Sequence, residues 1–143
     1  MAGVALKSYP NCFGCGSDNP IGLKLSYRIE GENVVTDFVP QEEHQGWPGI
    51  THGGIITSLL YEVMENYPYQ NGIVAMMRGM ETRFRRPINT GQKITAKSWL
   101  VKESGRILKI GGSLTDDDDV LLAQGEADLL VLREDQIERL GIS

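Results

Sequence analysis

The sequence predicts an α+β domain in which an antiparallel sheet of five to six strands wraps around one long central helix. Three observations carry this prediction. Apolar residues recur at helical spacing over one long stretch, roughly residues 54–67. The remaining apolar segments after residue 22 are strand-like, alternating or rich in residues that suit a pleated surface. The order of elements, two strands, one helix and then four strands joined by short turns, leaves a single sheet with a single helix to cover it.

Residues Asn11 to Pro20 are dense in Gly, Asp, Asn and Pro and read as a loop, part of an N-terminal loop segment over residues 1–21. Leu23, Leu25, Tyr27 and Ile29 then alternate with Lys24, Ser26, Arg28 and Glu30, the pattern of a strand with one buried face. Gly31-Glu32-Asn33 turns the chain into a second strand, Val34 to Val39. A loop from Pro40 to His52, containing Trp47-Pro48-Gly49, leads into the helix, Gly54 to Tyr67. Pro68 is expected to stop it, because proline has no N–H to continue the hydrogen-bond ladder. Ile73 to Arg86, ended by Pro87, is a long strand; Lys93 to Lys102, Ile107 to Thr115 and Val120 to Leu132 follow, with Gly105 and Asp116-Asp117-Asp118-Asp119 marking two turns. Glu134 to Leu140 adds a turn or two of helix. With no internal repeat and no linker, the 143 residues read as one domain.

Composition narrows the function. The chain is 41% apolar and 23% charged, ordinary for a folded globular protein. No apolar run reaches the roughly 18 residues needed to span a bilayer, and Met1 to Pro10 lacks the apolar stretch of a signal peptide. A cytoplasmic protein without a membrane partner is the expectation. Fourteen Lys and Arg against 19 Asp and Glu give a net charge of -5, which argues against nucleic-acid binding through a broadly cationic surface. The four aspartates lack the spacing of a calcium loop and read as a solvated turn.

Cys12-Phe13-Gly14-Cys15 is a C-x-x-C pair, a spacing used by zinc and by redox chemistry. Only His44 and His52 are available to complete a closed zinc site within one subunit, although two subunits could share one. No strand-like run precedes the pair to place it at a helix N-terminus. The alternative is a turn whose cysteines pack as small apolar residues. No metal is expected.

The stretch richest in chemistry is Thr51-His52-Gly53-Gly54-Ile55-Ile56-Thr57-Ser58-Leu59-Leu60-Tyr61-Glu62-Val63-Met64-Glu65. The first N–H groups of a helix have no intrahelical partner and carry the positive end of its dipole. With no Cβ at Gly53 or Gly54, a carbonyl oxygen has room to reach those amides, the arrangement that stabilises an oxyanion in acyl transfer. The plainer reading is that His52 is a cap and the glycines are turn formers.

The order of elements and the H-G-G-I-I-x-x-L-L helix opening resemble the hotdog-fold acyl-CoA thioesterases, particularly the phenylacetate-pathway subgroup. Further pieces of the resemblance, which covers almost the whole chain, are Cys12-Phe13-Gly14-Cys15-Gly16, Asn19-Pro20-Ile21-Gly22-Leu23-Lys24-Leu25, Pro48-Gly49-Ile50-Thr51-His52-Gly53-Gly54 and Arg83-Phe84-Arg85-Arg86-Pro87. The resemblance implies that a backbone N–H at Gly53 or Gly54 polarises the thioester carbonyl and that an acidic residue nine positions after His52 acts as nucleophile or base. That position is Tyr61, whose phenol with an ordinary pKa near 10 is a poor base at neutral pH.

Nearby carboxylates are the candidate substitutes. At about 100° per residue, Ile55, Ile56, Leu59, Leu60, Val63 and Met64 share one half of the helix, and Ser58, Tyr61, Glu62 and Glu65 the other. Glu62 borders the apolar half, where a buried acyl pocket would raise its pKa; Glu65, one turn beyond Tyr61, is the second candidate, and a solvated or salt-bridged face is the alternative for both. His44 and Gln45 are candidates to orient water or bond the thioester, since the similar enzymes often carry a polar side chain in this loop. Arg83 and Arg85 share one strand face and Arg86 takes the other, and any of the three could meet coenzyme A phosphates or make surface ion pairs. Met76, Met77, Met80 and Trp99 are candidate pocket residues or plain core.

The resulting expectation is an acyl-CoA thioesterase that uses no cofactor beyond its coenzyme A thioester substrate, with Gly53 and Gly54 at the oxyanion, Glu62 activating water and His52 shaping the turn. The alternative is a non-catalytic acyl-CoA binding or sensing module, and a dehydratase on the same fold ranks third. A homodimer joined edge to edge is the expectation; the resemblance further implies a pair of dimers, with each site between the helix N-terminus of one subunit and the helix of its partner.

Overall fold

The computed structural model describes residues 6–142, so Met1 to Ala5 and Ser143, at the ends of the expected domain, lie outside the described residues. Six strands, β1 (Tyr27–Glu30), β2 (Asn33–Phe38), β3 (Ala75–Phe84), β4 (Ile94–Ser104), β5 (Ile107–Thr115) and β6 (Leu121–Val131), form one antiparallel sheet in the order β1-β2-β4-β5-β6-β3. The long helix α1 (Gly53–Gln70) lies across one face, and α2 (Glu134–Leu140) follows the last strand.

The helix face reads as its periodicity implies. Ile56, Leu59, Leu60, Val63 and Met64 are buried against Ile94, Ile110, Leu114 and Leu129 of the sheet. What sets the closeness of the helix is a row of small residues beneath it: Ser98, Gly112 and Gly125 are direct partners across β4, β5 and β6. A Cβ at Gly112 would stand 2.8 Å from Cγ of the fully buried Met64, so only glycine leaves room there. Beside it the Ser98 hydroxyl donates to the Val63 carbonyl at 2.6 Å, which supplies the buried hydroxyl with a partner inside the core.

Two boundaries differ from the sequence reading by more than two residues. The expected first strand began near Leu23, but the ladder starts at Tyr27. Leu23 and Leu25 are buried as alternation predicts, yet their N–H groups donate to the carbonyls of Phe13 and Gly14, and Lys24 takes a positive φ of 54° that no regular strand accommodates. Pro68 does not stop the helix, which runs on to Gln70. Proline removes one N–H, so a single bond in the last turn is lost while the residues behind it stay helical; the turn closes at Asn71 and Gly72, where the N–H groups of Asn71 and Ile73 return to the Pro68 carbonyl.

Among the described residues, no helix is long and apolar enough to cross a membrane. The Asp116–Asp119 turn is organised by Asp116, whose Oδ1 accepts from the N–H groups of Asp118 and Val120.

Replacing Gly112 by Ala should lower stability by about 1–3 kcal/mol through the forced shift of Met64, measured as a lower urea midpoint. The same change in a Met64→Ala background should cost clearly less, because the colliding atom is gone; equal costs in both backgrounds would exclude this contact as the cause.

Candidate active site

His52 is the N-cap of α1, with φ -61° and ψ 136°, and its Nδ1 accepts the N–H of Gly54 at 2.8 Å. The carbonyl of His52 takes the N–H groups of Ile55 and Ile56. The cap therefore occupies Gly54, and the expectation that Gly53 and Gly54 both hold an oxyanion narrows to Gly53. Among the described residues none accepts the Gly53 N–H, and Gly53 borders two clefts. One, of about 270 Å³, is bounded by Thr51, Ile56, Phe84, Arg85, Arg86 and Ile88 among others. The other, of about 400 Å³, lies between Gly46, Trp47, Thr51 and His52. Thr51 belongs to both, and its buried hydroxyl has no partner among the described residues, an orphan polar atom beside the open amide.

The carboxylates stand elsewhere. Glu62 and Glu65 share a cavity of about 410 Å³ with Tyr9, Cys12, Cys15, Tyr27, Tyr61 and Met76, toward the far end of the helix. Glu62 lies nine positions after Gly53 along α1, a rise of roughly 13 Å, and the two border different cavities. Within one chain the Gly53 amide and the two carboxylates therefore border separate cavities.

Within that cavity the two acids are held differently. Glu65 Oε2 accepts the N–H of Met77 at 3.1 Å, next to the register shift between Met77 and Gly79 in β3. Burial pushes its pKa up from 4.5 to about 7, partly offset by that N–H. Glu62 accepts a weak hydrogen bond from Asn66 Nδ2 at 3.4 Å, and burial likewise raises its pKa, opposed by the neighbouring Tyr27 hydroxyl. That hydroxyl is itself buried without a hydrogen bond of ordinary geometry among the described residues. The other side of the Glu62 carboxylate is covered by the N-terminal strap, residues 9–25: a Cβ at Gly14 would run into it. Tyr61, at the expected acid position, is 40% exposed at the mouth, its phenol pushed above its usual range by burial and by Glu65 and Glu62.

Several expected residues serve the scaffold. His44 Nδ1 accepts the N–H of Gln41, and its ring packs against Phe38; Gln45 Oε1 accepts the N–H of Gly49. Neither borders the clefts at Gly53, because both side chains are spent on shaping the loop. Arg85 and Arg86 both line the Gly53 cleft, so the expected alternation fails there: β3 ends at Phe84, and the N–H groups of Arg85 and Arg86 both turn to the Leu122 carbonyl. Arg83 sits apart, with Trp99 and Glu81 around a cavity over Gly111. Met77 and Met80 pack on the core, and of the four candidate pocket residues only Met76 lines the carboxylate cavity.

Sequence reasoning missed Trp47 and Phe84, which are 81% and 58% exposed beside Gly53, and Tyr27 beside Glu62. An aromatic in a loop or at a strand end carries no periodicity that marks it as a wall. The cysteines, weighed for metal or redox chemistry, line the carboxylate cavity; among the described residues no group of three or more His, Cys, Asp and Glu is arranged to hold a metal ion.

The family model described as the thioesterase superfamily matches residues 48–123, which hold the helix opening, both carboxylates and the arginines. No curated protein matches the chain. Among solved structures, a thioesterase superfamily protein superimposes with a TM-score of 0.79 at 22% identity, covering 86% of this chain; this chain spans only 61% of that one. The Escherichia coli PaaI protein of the phenylacetic acid degradation operon gives 0.72 at 14% identity, over 78% of this chain and 81% of its own. A Streptococcus mutans UA159 protein bound to acetyl CoA gives 0.70 at 14% identity, over 76% of this chain and 88% of its own. The fold is the hotdog fold.

The raised pKa of Glu65 has a signed consequence. The folded state holds this proton more tightly than the unfolded chain, so the stabilising contribution is complete below about pH 4.5 and is lost as pH rises through about 7. Glu65→Gln keeps an acceptor for Met77 and removes the titration. Urea unfolding of both proteins from pH 4.5 to 7.5 should show wild type losing stability relative to the variant as pH rises; parallel curves would contradict the assignment.

Proposed function

Since the chain belongs to the thioesterase superfamily, we propose that it is an acyl-CoA thioesterase, acting in the cytoplasm on coenzyme A thioesters as a homodimer or a pair of dimers. The observation that carries the reading is the open N–H of Gly53, left free at the first turn of α1 when His52 closes the amide of Gly54. The thioester carbonyl docks on that N–H, where the helix dipole favours the negative charge that develops on oxygen. Arg85 and Arg86, on the same cleft, offer guanidinium groups to the phosphates. The Streptococcus mutans protein bound to acetyl CoA, similar in fold, lends this ligand class support.

Glu62 is the base. It carries the less committed carboxylate of the pair, since Glu65 is engaged by Met77, and its raised pKa brings it nearer the range in which a carboxylate accepts a proton effectively. Ionised Glu62 takes a proton from water, the hydroxyl attacks the carbonyl carbon, and collapse of the tetrahedral intermediate releases the coenzyme A thiolate, which regains the proton. This chain and water supply every group in the step.

The separation of Gly53 from Glu62 within one chain is met by a second copy. β3 is an edge of the sheet, ten residues long, with Met76 and Phe84 exposed along it. Pairing of two such edges extends the sheet and lets the Gly53 cleft of one subunit face the carboxylate cavity of the other. The competing reading, an acyl-CoA binding module, is favoured by one observation, Tyr61 at the usual acid position.

Gly53→Pro isolates the donor. Proline suits the first helical position, the extended backbone of His52 suits a following proline, and ordinary contact distances surround a Cβ at Gly53. The variant should fold with unchanged thermal stability and lose about 10²–10³-fold in kcat for thiol release across a panel of acyl-CoAs. Glu62→Gln should lose about 10²–10⁴-fold. Saturable binding of intact acyl-CoA with no thiol release by wild type would replace the enzyme with the binding module. Light scattering should give at least the dimer mass, and a monomer with full turnover would rule out the shared site.

A further inference from the structure

The cysteine pair has no part in the thioesterase step, yet it brackets the contact that seats the base. Cys12 is half-buried and Cys15 reaches the surface, both unpaired. Between them, Phe13 and Gly14 present carbonyls to the N–H groups of Leu23 at 2.8 Å and Leu25 at 2.9 Å, and Gly14 lies flush on the Glu62 carboxylate. The turn is held by the Gly16 N–H on the Cys12 carbonyl at 2.8 Å. Both cysteines line the cavity that holds Glu62, so a small molecule entering there meets thiols and carboxylate together.

We propose that Cys12 and Cys15 are a redox modification site, closed to an intrastrap disulfide by a small-molecule disulfide, and that closure unseats Gly14 from Glu62. A bridge needs the two Cβ atoms about 3.8 Å apart. An S–S bond of about 2.05 Å is shorter than any contact between free thiols, and the covalent path between the cysteines runs through the peptide units of Phe13 and Gly14, so closure pulls on the carbonyls that hold Leu23 and Leu25. The Cys12 sulfur, its proton lost to solvent, attacks one sulfur of the incoming disulfide and the first thiolate leaves. Deprotonated Cys15 then attacks the Cys12 sulfur of the mixed disulfide and the second thiolate leaves. Two cysteine thiols are oxidised, one disulfide is reduced to two thiols, and the protons end on the leaving groups or in water. The Cys15 thiol is pushed up to about 12, first by burial, then by Cys12, with Glu62 adding to it, so the second step is slow at neutral pH.

The effect on turnover rests on the thioesterase reading; the effect on the strap does not. Treat the full chain with oxidised glutathione and record intact mass, hydrogen exchange and thiol release, the last after the glutathione is removed. Wild type should lose the mass of two hydrogens, exchange the Leu23 and Leu25 amides at least about 10-fold faster, and fall roughly 10-fold or more in kcat as the base shifts, all reversed by dithiothreitol. The Cys12→Ser/Cys15→Ser variant should show no response of any of the three to the oxidant, whatever its starting turnover. No intramolecular disulfide at any glutathione concentration, or a disulfide with Leu23 and Leu25 exchange unchanged, would overturn the proposal. Absence of turnover in both redox states would instead remove the thioesterase reading, with exchange still deciding the fate of the strap.

Discussion

The depth at which α1 beds into the sheet governs the rest of the molecule. Gly112 and Gly125 give the helix its close approach, Ser98 ties its middle through the Val63 carbonyl, and five large side chains complete the seal. Because α1 is fixed in its middle, its two ends are fixed as well. The N-terminal end presents Gly53 between Thr51, Trp47 and Phe84, and the turns beside Val63 press Glu62 against the strap and Glu65 against β3. A helix standing farther off would not bring Glu62 onto Gly14 or Glu65 onto Met77.

The same helix sets two kinds of environment. At its start, the N–H of Gly53, without an acceptor among the described residues, meets a cleft bordered by Arg85 and Arg86, a setting that favours negative charge. Toward its end, burial among tyrosines, thiols and apolar side chains disfavours charge and raises the pKa values of Glu62 and Glu65 together. Acyl-transfer chemistry draws on both, a donor for the oxygen and a base for water. Their separation along α1 makes assembly a condition of the proposed chemistry as well as a matter of stability.

How much of this was legible beforehand follows from the range of the interactions. Period and turn chemistry are local, so the helix, the six strands, their turns and the buried positions Ile56, Leu59, Leu60, Val63 and Met64 could be read directly. The cap chemistry of His52 was half legible: a cap residue was expected, but that its ring nitrogen would close Gly54 and spare Gly53 depends on one side-chain rotamer. Leu23 and Leu25 kept their burial and lost their ladder, since the competing acceptors lie ten or more residues away in the strap. His44 and Gln45 have the right chemistry for a site and are spent on loop geometry that sequence spacing does not reveal. The strap that carries Cys12 and Cys15 crosses the helix beside Glu62, a juxtaposition created by topology and invisible to local spacing.

The hydrogen bond from Met77 to Glu65 bears on solubility. An exposed ten-residue outer strand with an unbroken row of donors and acceptors would recruit strand after strand and grow fibres. Here one donor is already claimed by the protein's own helix, at the point where the strand changes register. An approaching chain finds a rung missing and has to align around the gap, which penalises slipped pairings and favours a closed assembly over open-ended growth.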